Sequence, residues 1–293
     1  MSSLRALIET ARPHQFLKNG LIFLPLFFGH RLLDIEALLP TILAFVTFCL
    51  LSGSVYILND LKDIHADRNH PEKMLRPLAS GRLGIPPAIA GMVIGILLSL
   101  IVGAVFLKND CVFVLLTYLA INLGYSFYLK HFAIIDIFCI STGFVLRVVI
   151  GGLAAGVSNS HLIIIMTFLM ALFIALAKRR DDLRLSENGH QIRKAIDGYN
   201  LEFVALGMGI MASVIIVAYL LYTVSPEIIQ KHNAPNLYLT TFWVIAGIFR
   251  YFQITFVENK SGSPTRILIR DSFLKTIVAA WLLNFYWVLY AGR

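Results

Sequence analysis

Apolar residues in this chain run in blocks of about twenty, and charged residues collect in the gaps between them. The blocks lie near 16–33, 36–58, 86–107, 111–129, 133–154, 161–177, 202–223, 237–257 and 273–291. A helix needs roughly 20 mainly apolar residues to cross a bilayer, so about nine crossings are predicted. The expected fold class is all-α, an integral membrane bundle of about nine transmembrane helices. The first block is the least regular, because Lys18 and Pro25 interrupt it. Composition agrees: 58% of residues are hydrophobic and 14% charged, where a soluble domain carries nearer a quarter charged. The residues before the first block include Arg5, Glu9 and Arg12 and lack a signal peptide's apolar region. The N-terminus is therefore expected to stay in the mature protein.

Charge sets the orientation. With nine crossings, one side receives the N-terminus and the loops near 59–85, 130–132, 178–201 and 258–272. That side holds 18 of the 25 lysines and arginines, and the other side 4. Positively charged loops stay cytoplasmic, so a multi-pass protein of the cell (inner) membrane is expected, with the basic face inward. The same excess of positive charge would draw in an anionic substrate. No nucleic-acid partner is expected, and membrane lipid is. The sequence leaves oligomeric state open.

The densest polar segment begins where the second block ends, at Asn59-Asp60-Leu61-Lys62-Asp63-Ile64-His65-Ala66-Asp67. On a helix Asp60, Asp63 and Asp67 fall within about 60° of one another, so one face carries three carboxylates. Lys73, Arg76 and Arg82 follow. Carboxylates that gather a hard cation beside bases that grip phosphate oxygens point to a metal–pyrophosphate site. The plainer alternative is a solvated charged loop.

A second cluster, Lys178-Arg179-Arg180-Asp181-Asp182, lies on the same predicted face, where it serves either the same ligand or topology alone. Asp136 and Arg147 fall inside the fifth block. Arg147 lies about 16 Å along a helix from Asp136, too far to pair with it, which leaves a substrate anion or another helix's acid. Cys49, Cys111 and Cys139 sit in apolar blocks without CxxC spacing and read as core residues. There is no HExxH, phosphate-binding P-loop or GxGxxG motif.

These residues resemble a known group. Asn59-Asp60-x-x-Asp63-x-x-x-Asp67 is similar to the first aspartate-rich motif of the UbiA-type intramembrane prenyltransferases. Arg12-Pro13-His14-Gln15-Phe16-Leu17-Lys18-Asn19, with Phe23-Leu24-Pro25-Leu26, resembles that superfamily's opening segment. Tyr125-Ser126-Phe127-Tyr128-Leu129-Lys130 resembles its Tyr/Lys segment. Within the superfamily, the run from His70 to Gly81 looks like that of decaprenyl-phosphate phosphoribosyltransferases. So do Arg147 with Gly151-Gly152, Lys178-Arg179 before Asp182-Leu183, and Arg270-Asp271. The usual second motif has two aspartates four apart, but here Leu185 and Ser186 follow Asp181 and Asp182 at that distance.

The resemblance implies a UbiA-type fold and a single transmembrane catalytic domain with active-site loops near 59–85 and 178–201. It implies transfer from 5-phosphoribosyl 1-diphosphate to a polyprenyl (decaprenyl-type) phosphate, releasing diphosphate, toward a lipid-linked pentose for cell-wall arabinose. Asp60, Asp63 and Asp67 would hold Mg2+ on the donor diphosphate, with Asn59 assisting. Lys73, Arg76, Lys178 and Arg179 would grip phosphates. Lys18, Lys130 and Arg147 would take the acceptor phosphate or the donor's 5-phosphate, with Tyr125 in the same substrate-binding set. Asp182 would be a second-metal or ribose-hydroxyl ligand. The alternative enzyme moves a prenyl group from its diphosphate to an aromatic or other small acceptor. A transporter or lipid carrier is a third reading, against which the chain shows no convincing internal repeat.

Overall fold

The structure is a computed structural model that describes residues 3–69, 73–187, 197–259, 267 and 270–288. The described residues form helices and connecting turns, with no strand among them. Among the described residues, seven helices are long and apolar enough to cross a membrane: Ile35–Lys62, Ile85–Phe106, Asn109–Phe127, Ile135–Ala155, His161–Arg184, Leu201–Val224 and Leu237–Val257. Two of the nine blocks, those near 16–33 and 273–291, are not among these seven. The block near 16–33 is a 3-10 helix, Pro13–Phe23, followed by the five-residue helix Leu24–Phe28. Hydropathy counts apolar residues whether or not they can share one hydrogen-bond ladder. Here Pro13 and Pro25 each lack a backbone N–H, and each stands in the first turn of a separate short helix. The block near 273–291 is a 15-residue helix, Ser272–Tyr286, over its described part.

The chain divides into two compact units, one ending at Ser160 and the other beginning at His161. The first unit contains α1 (Ser3–Ala11), the Pro13–Phe23 helix, α2 (Leu24–Phe28), α3 (Ile35–Arg68), α4 (Ile85–Phe106), α5 (Asn109–Phe127) and α6 (Ile135–Ala155). Helix α3 is its axis. Asp34 caps it by accepting from Glu36 N at 2.9 Å. Its 34 residues span about 51 Å, well beyond a hydrocarbon core of about 30 Å, so its acidic end projects past the apolar crossing. Phe48, Leu51 and Val55 of α3 pack with Ile22, Cys111, Leu115, Tyr118 and Ile150 in one core. Ser99 of α4 donates to Thr47 O at 2.9 Å, satisfying a polar group where two apolar helices meet. Gly151 lets α6 approach the Pro13–Phe23 helix closely, since a Cβ there would stand 2.0 Å from Ile22 O. Arg31 donates to Asp34 and, at 2.7 Å, to Ala155 O, tying the turn before α3 to the end of α6.

The second unit contains α7 (His161–Glu187), α8 (Leu201–Val224), α9 (Pro226–His232), α10 (Thr241–Phe252) and α11 (Ser272–Tyr286). Helix α7 packs on α8 and α10 on α11. The Tyr219 hydroxyl lies 2.7 Å from Thr240 Oγ1 and accepts from Trp281 Nε1 at 2.8 Å. A π-helical turn, Gln253–Val257, extends α10. Asp271 caps α11 through Leu274 N at 2.7 Å and accepts from Arg250 of α10 at 2.5 Å. The three cysteines are unpaired, with Cys49 and Cys111 buried, as their apolar settings predict.

Candidate active site

The acidic run continues α3 without a break to Arg68, so Asp60, Asp63 and Asp67 do share one helical face. Asp60 is 2% exposed and Asp67 4%. Carboxylates removed from water need partners, and each of the three has a base brought from elsewhere in the chain. Asp60 Oδ1 accepts from Arg12 Nη2 and, at 3.2 Å, from Arg76 Nη1. The same Arg76 nitrogen donates to Asp67 Oδ2 at 2.6 Å, bridging two acids two helical turns apart. Lys130 Nζ donates to Asp63 Oδ1 at 2.5 Å. Asn59 Oδ1 lies 2.6 Å from Ser126 Oγ.

Each base is delivered by a defined element. Arg12 has φ 56° at the junction between α1 and the Pro13–Phe23 helix, a left-handed conformation that costs a non-glycine residue about 1–2 kcal/mol. Its guanidinium also lies over the Tyr56 ring, 5.2 Å from the centroid. Arg76 follows the turn Lys73–Leu75, in a loop folded back on α3. Arg68 Nε donates to Ala79 O at 3.1 Å, Leu83 N donates to Pro77 O at 2.9 Å, and Gly81 makes the turn at φ 77°. Arg82 belongs to the frame of this loop. It makes two bonds to Glu9, at 2.9 and 2.8 Å, and one to Leu75 O at 2.6 Å. Arg82 holds the Glu9 carboxyl below its usual range. Lys130 stands in the short turn Leu129–His131 that follows α5 and is itself buried. Lys73 is half-buried at the start of the Arg76 loop, and Tyr125 is half-buried near the end of α5.

Lys18 lies on the Pro13–Phe23 helix, within electrostatic reach of both Arg12 and Arg147. Arg147, 5% exposed, donates from Nε to Asn19 Oδ1 at 2.7 Å and from Nη1 to Gly143 O at 2.6 Å. In the second unit, Arg179 is 2% exposed and pairs with Asp182 one turn along the same helix, at 2.6 Å. Arg180 donates to Thr255 O at 2.6 Å, in the π-helical turn. Lys178 is exposed. Of the residues that carry the family resemblance, His70, Pro71 and Glu72 lie outside the described residues.

Among the described residues no group of three or more His, Cys, Asp or Glu stands arranged around a metal position. The donor chemistry nevertheless suits a hard cation. Three carboxylates share a face, and Asp60 Oδ2 is buried without a hydrogen-bond partner. Two contacts here were not singled out from the sequence. Arg12 and Ser126 both stood inside quoted motifs, yet only the fold reveals that they reach Asp60 and Asn59.

Residues 23–274 match the model of the UbiA prenyltransferase family. The chain belongs to this family. Three decaprenyl-phosphate phosphoribosyltransferases are similar over nearly the whole length. That of Corynebacterium glutamicum is 31% identical over 94% of this chain and 84% of its own. That of Mycolicibacterium smegmatis is 31% identical over 94% and 90%, and that of Mycobacterium tuberculosis 28% over 94% and 91%. Two solved structures of a UbiA homolog from Archaeoglobus fulgidus share the fold. The one bound to DMAPP and Mg2+ has a TM-score of 0.71 at 19% identity, covering 99% of both chains. The one bound to GPP and Mg2+ has 0.72 at 18%, covering 97% of this chain and 99% of the other. The expected UbiA-type helical membrane fold is therefore present.

Proposed function

We propose that this UbiA-family protein transfers 5-phosphoribosyl from 5-phosphoribosyl 1-diphosphate to a polyprenyl phosphate and releases diphosphate. The observation that carries the reading is the similarity to decaprenyl-phosphate phosphoribosyltransferases, which runs through 94% of the chain. The product would supply lipid-linked pentose for the cell envelope. The side with 18 of the 25 lysines and arginines would face the cytoplasm, where a soluble polyphosphate donor is found.

The site's electrostatics suit this chemistry. Asp60, Asp63 and Asp67, with Asn59, would hold Mg2+. When bound, the ion would neutralise charge developing on the departing diphosphate. Arg12, Arg76 and Lys130 are now neutralised by these acids. Asp60 Oδ2 has no hydrogen-bond partner, so Asp60 could face a cation while Arg12 stays on its Oδ1, and Arg76 and Lys130 would then become available to phosphate oxygens. Arg76 and Lys73 would grip the donor diphosphate, and Lys130 and Lys18 the acceptor phosphate, with Tyr125 beside them. Lys130 is already buried and Lys18, Lys73 and Arg76 are half-buried, so these charges would act with little solvent reorganisation. The acceptor phosphate is an anion, so its oxygen attacks the ribose C1 without a strong general base. Lys178 and Arg179 would also bind phosphate, and Asp182 would be a ribose-hydroxyl or second-metal ligand.

A prenyltransferase acting on a small acceptor is the second reading, favoured by solved relatives of the fold that hold prenyl diphosphates. One assay separates the two. Membranes containing the protein receive radiolabelled 5-phosphoribosyl 1-diphosphate, a polyprenyl phosphate and Mg2+, in parallel with a prenyl diphosphate donor. Label entering the organic phase, abolished by EDTA, is the expected result. Transfer only from the prenyl diphosphate would overturn the proposal.

A further inference from the structure

Among the described residues, no acid pairs with Arg147. A buried guanidinium is normally paired, because desolvating it costs several kcal/mol. Here its hydrogen-bond partners are neutral: Asn19 Oδ1, Gly143 O and, at 3.4 Å, the Tyr118 hydroxyl. The rings of Phe48, Tyr118 and Phe144 surround it at 4.9, 5.2 and 5.4 Å, a cation–π setting. All three guanidinium nitrogens therefore have protein partners.

Asn19 is the link outward. It stands on the Pro13–Phe23 helix, 1% exposed, and its amide nitrogen lies 3.1 Å from both Cys49 Sγ and Ser52 Oγ of α3. Together Arg147 and Asn19 pin a 3-10 segment between α3 and α6. A 3-10 helix of eleven residues is unusually long and has weak internal hydrogen bonds, so its placement depends on such outside contacts. At its head stands Arg12, in a strained conformation, with its guanidinium on Asp60.

We propose that Arg147 is a positioning residue: through Asn19 it fixes the Pro13–Phe23 helix so that Arg12 stays on Asp60. It acts on catalysis without touching substrate. The inference takes the acidic face of α3 as the reacting site, as the proposed function does, but its structural part stands apart from the substrate's identity.

The test uses the purified full chain and the variants Arg147→Lys, Asn19→Ala, Arg12→Gln and Arg12→Gln with Arg147→Lys. Lysine keeps the charge and loses the fork. Hydrogen exchange in detergent should rise about tenfold for residues 13–23 in both Arg147→Lys and Asn19→Ala, and stay unchanged in α4. With whichever donor the wild type turns over, kcat should fall about tenfold, while KM for each substrate stays within about twofold. The double variant should be no worse than Arg12→Gln alone, since both changes break one chain of contacts. Unchanged exchange at 13–23 would overturn the inference even if no donor were turned over. So would a tenfold rise in KM for one substrate, which marks direct contact, or additive losses in the double variant. Failure of the phosphoribosyl assay with exchange still raised would count against the substrate reading alone.

Discussion

Two acidic clusters punctuate this chain, and their carboxylates are held in different ways. At the end of α3, Asp60, Asp63 and Asp67 are paired with bases 48, 16, 67 and 9 residues away. On α7, Asp182 pairs with Arg179 only three residues away. An i,i+3 pair is available to any helix and contributes a few tenths of a kcal/mol. The long-range pairs exist only once α1, the Arg76 loop and the turn after α5 have all come to α3. The first cluster is thus built by the fold, whereas the pairing of Asp182 with Arg179 needs only one helix. Convergence of distant charges on one face supports the proposal that the first is the reacting centre.

The largest effect should follow from removing a carboxylate at that centre. Asp63→Ala is expected to lower turnover about a thousandfold, the scale on which a preorganised charge acts in an active site. It also leaves Lys130 buried without its acid, so Asp63→Asn serves as the companion that retains an acceptor oxygen. Both are read by turnover and thermal unfolding of purified protein. Near-normal turnover in either would remove Asp63 from the metal set and erase the contrast between the clusters.

Asp182 should matter less. Asp182→Asn keeps the shape and leaves Arg179 in the second unit, so a loss of about tenfold is expected, on the scale of one hydrogen bond. The same lipid-transfer assay reads it. A loss as large as that of Asp63→Ala would make the two clusters equal partners and would restore the departed second motif in a new form.

The difference between the clusters also marks how far the sequence could be read. Helical periodicity placed Asp60, Asp63 and Asp67 on one face because α3 is continuous to Arg68, and local geometry then decides the matter. The apolar blocks gave the all-helical membrane fold. Hydropathy says less about the backbone: block 16–33 has the composition of a crossing, and Pro25 opens a second short helix within it. The reach of Arg12 to Asp60 was hidden for another reason. No spacing rule links residues 48 apart, and the left-handed turn that aims Arg12 belongs to tertiary packing. Likewise, the spacing excluded an Asp136 partner for Arg147 but did not reveal Asn19, a residue 128 positions away.

The smallest predicted effect concerns a third kind of pairing, distant in sequence like those of the first cluster but open to solvent. Arg82 holds the Glu9 carboxyl below its ordinary value of 4.5, chiefly through their hydrogen bonds. A depressed carboxylate contributes stability that is fully present above its unfolded value and is lost as pH falls through the folded one. At neutral pH, Glu9→Gln should therefore lower the unfolding temperature slightly, by about 1 °C, because exposed pairs are screened. That difference should shrink below about pH 4.5 as Glu9 in the wild type takes up its proton. Turnover at neutral pH should stay within about twofold, because Arg82 keeps its bond to Leu75 O in the loop that carries Arg76. Unfolding scans of both proteins from pH 7 to 4 check the sign. A difference that instead grows toward acid pH would mean that Glu9 is stabilised in its protonated form. In that case the bond to Arg82 would not be what holds the Arg76 loop against α1.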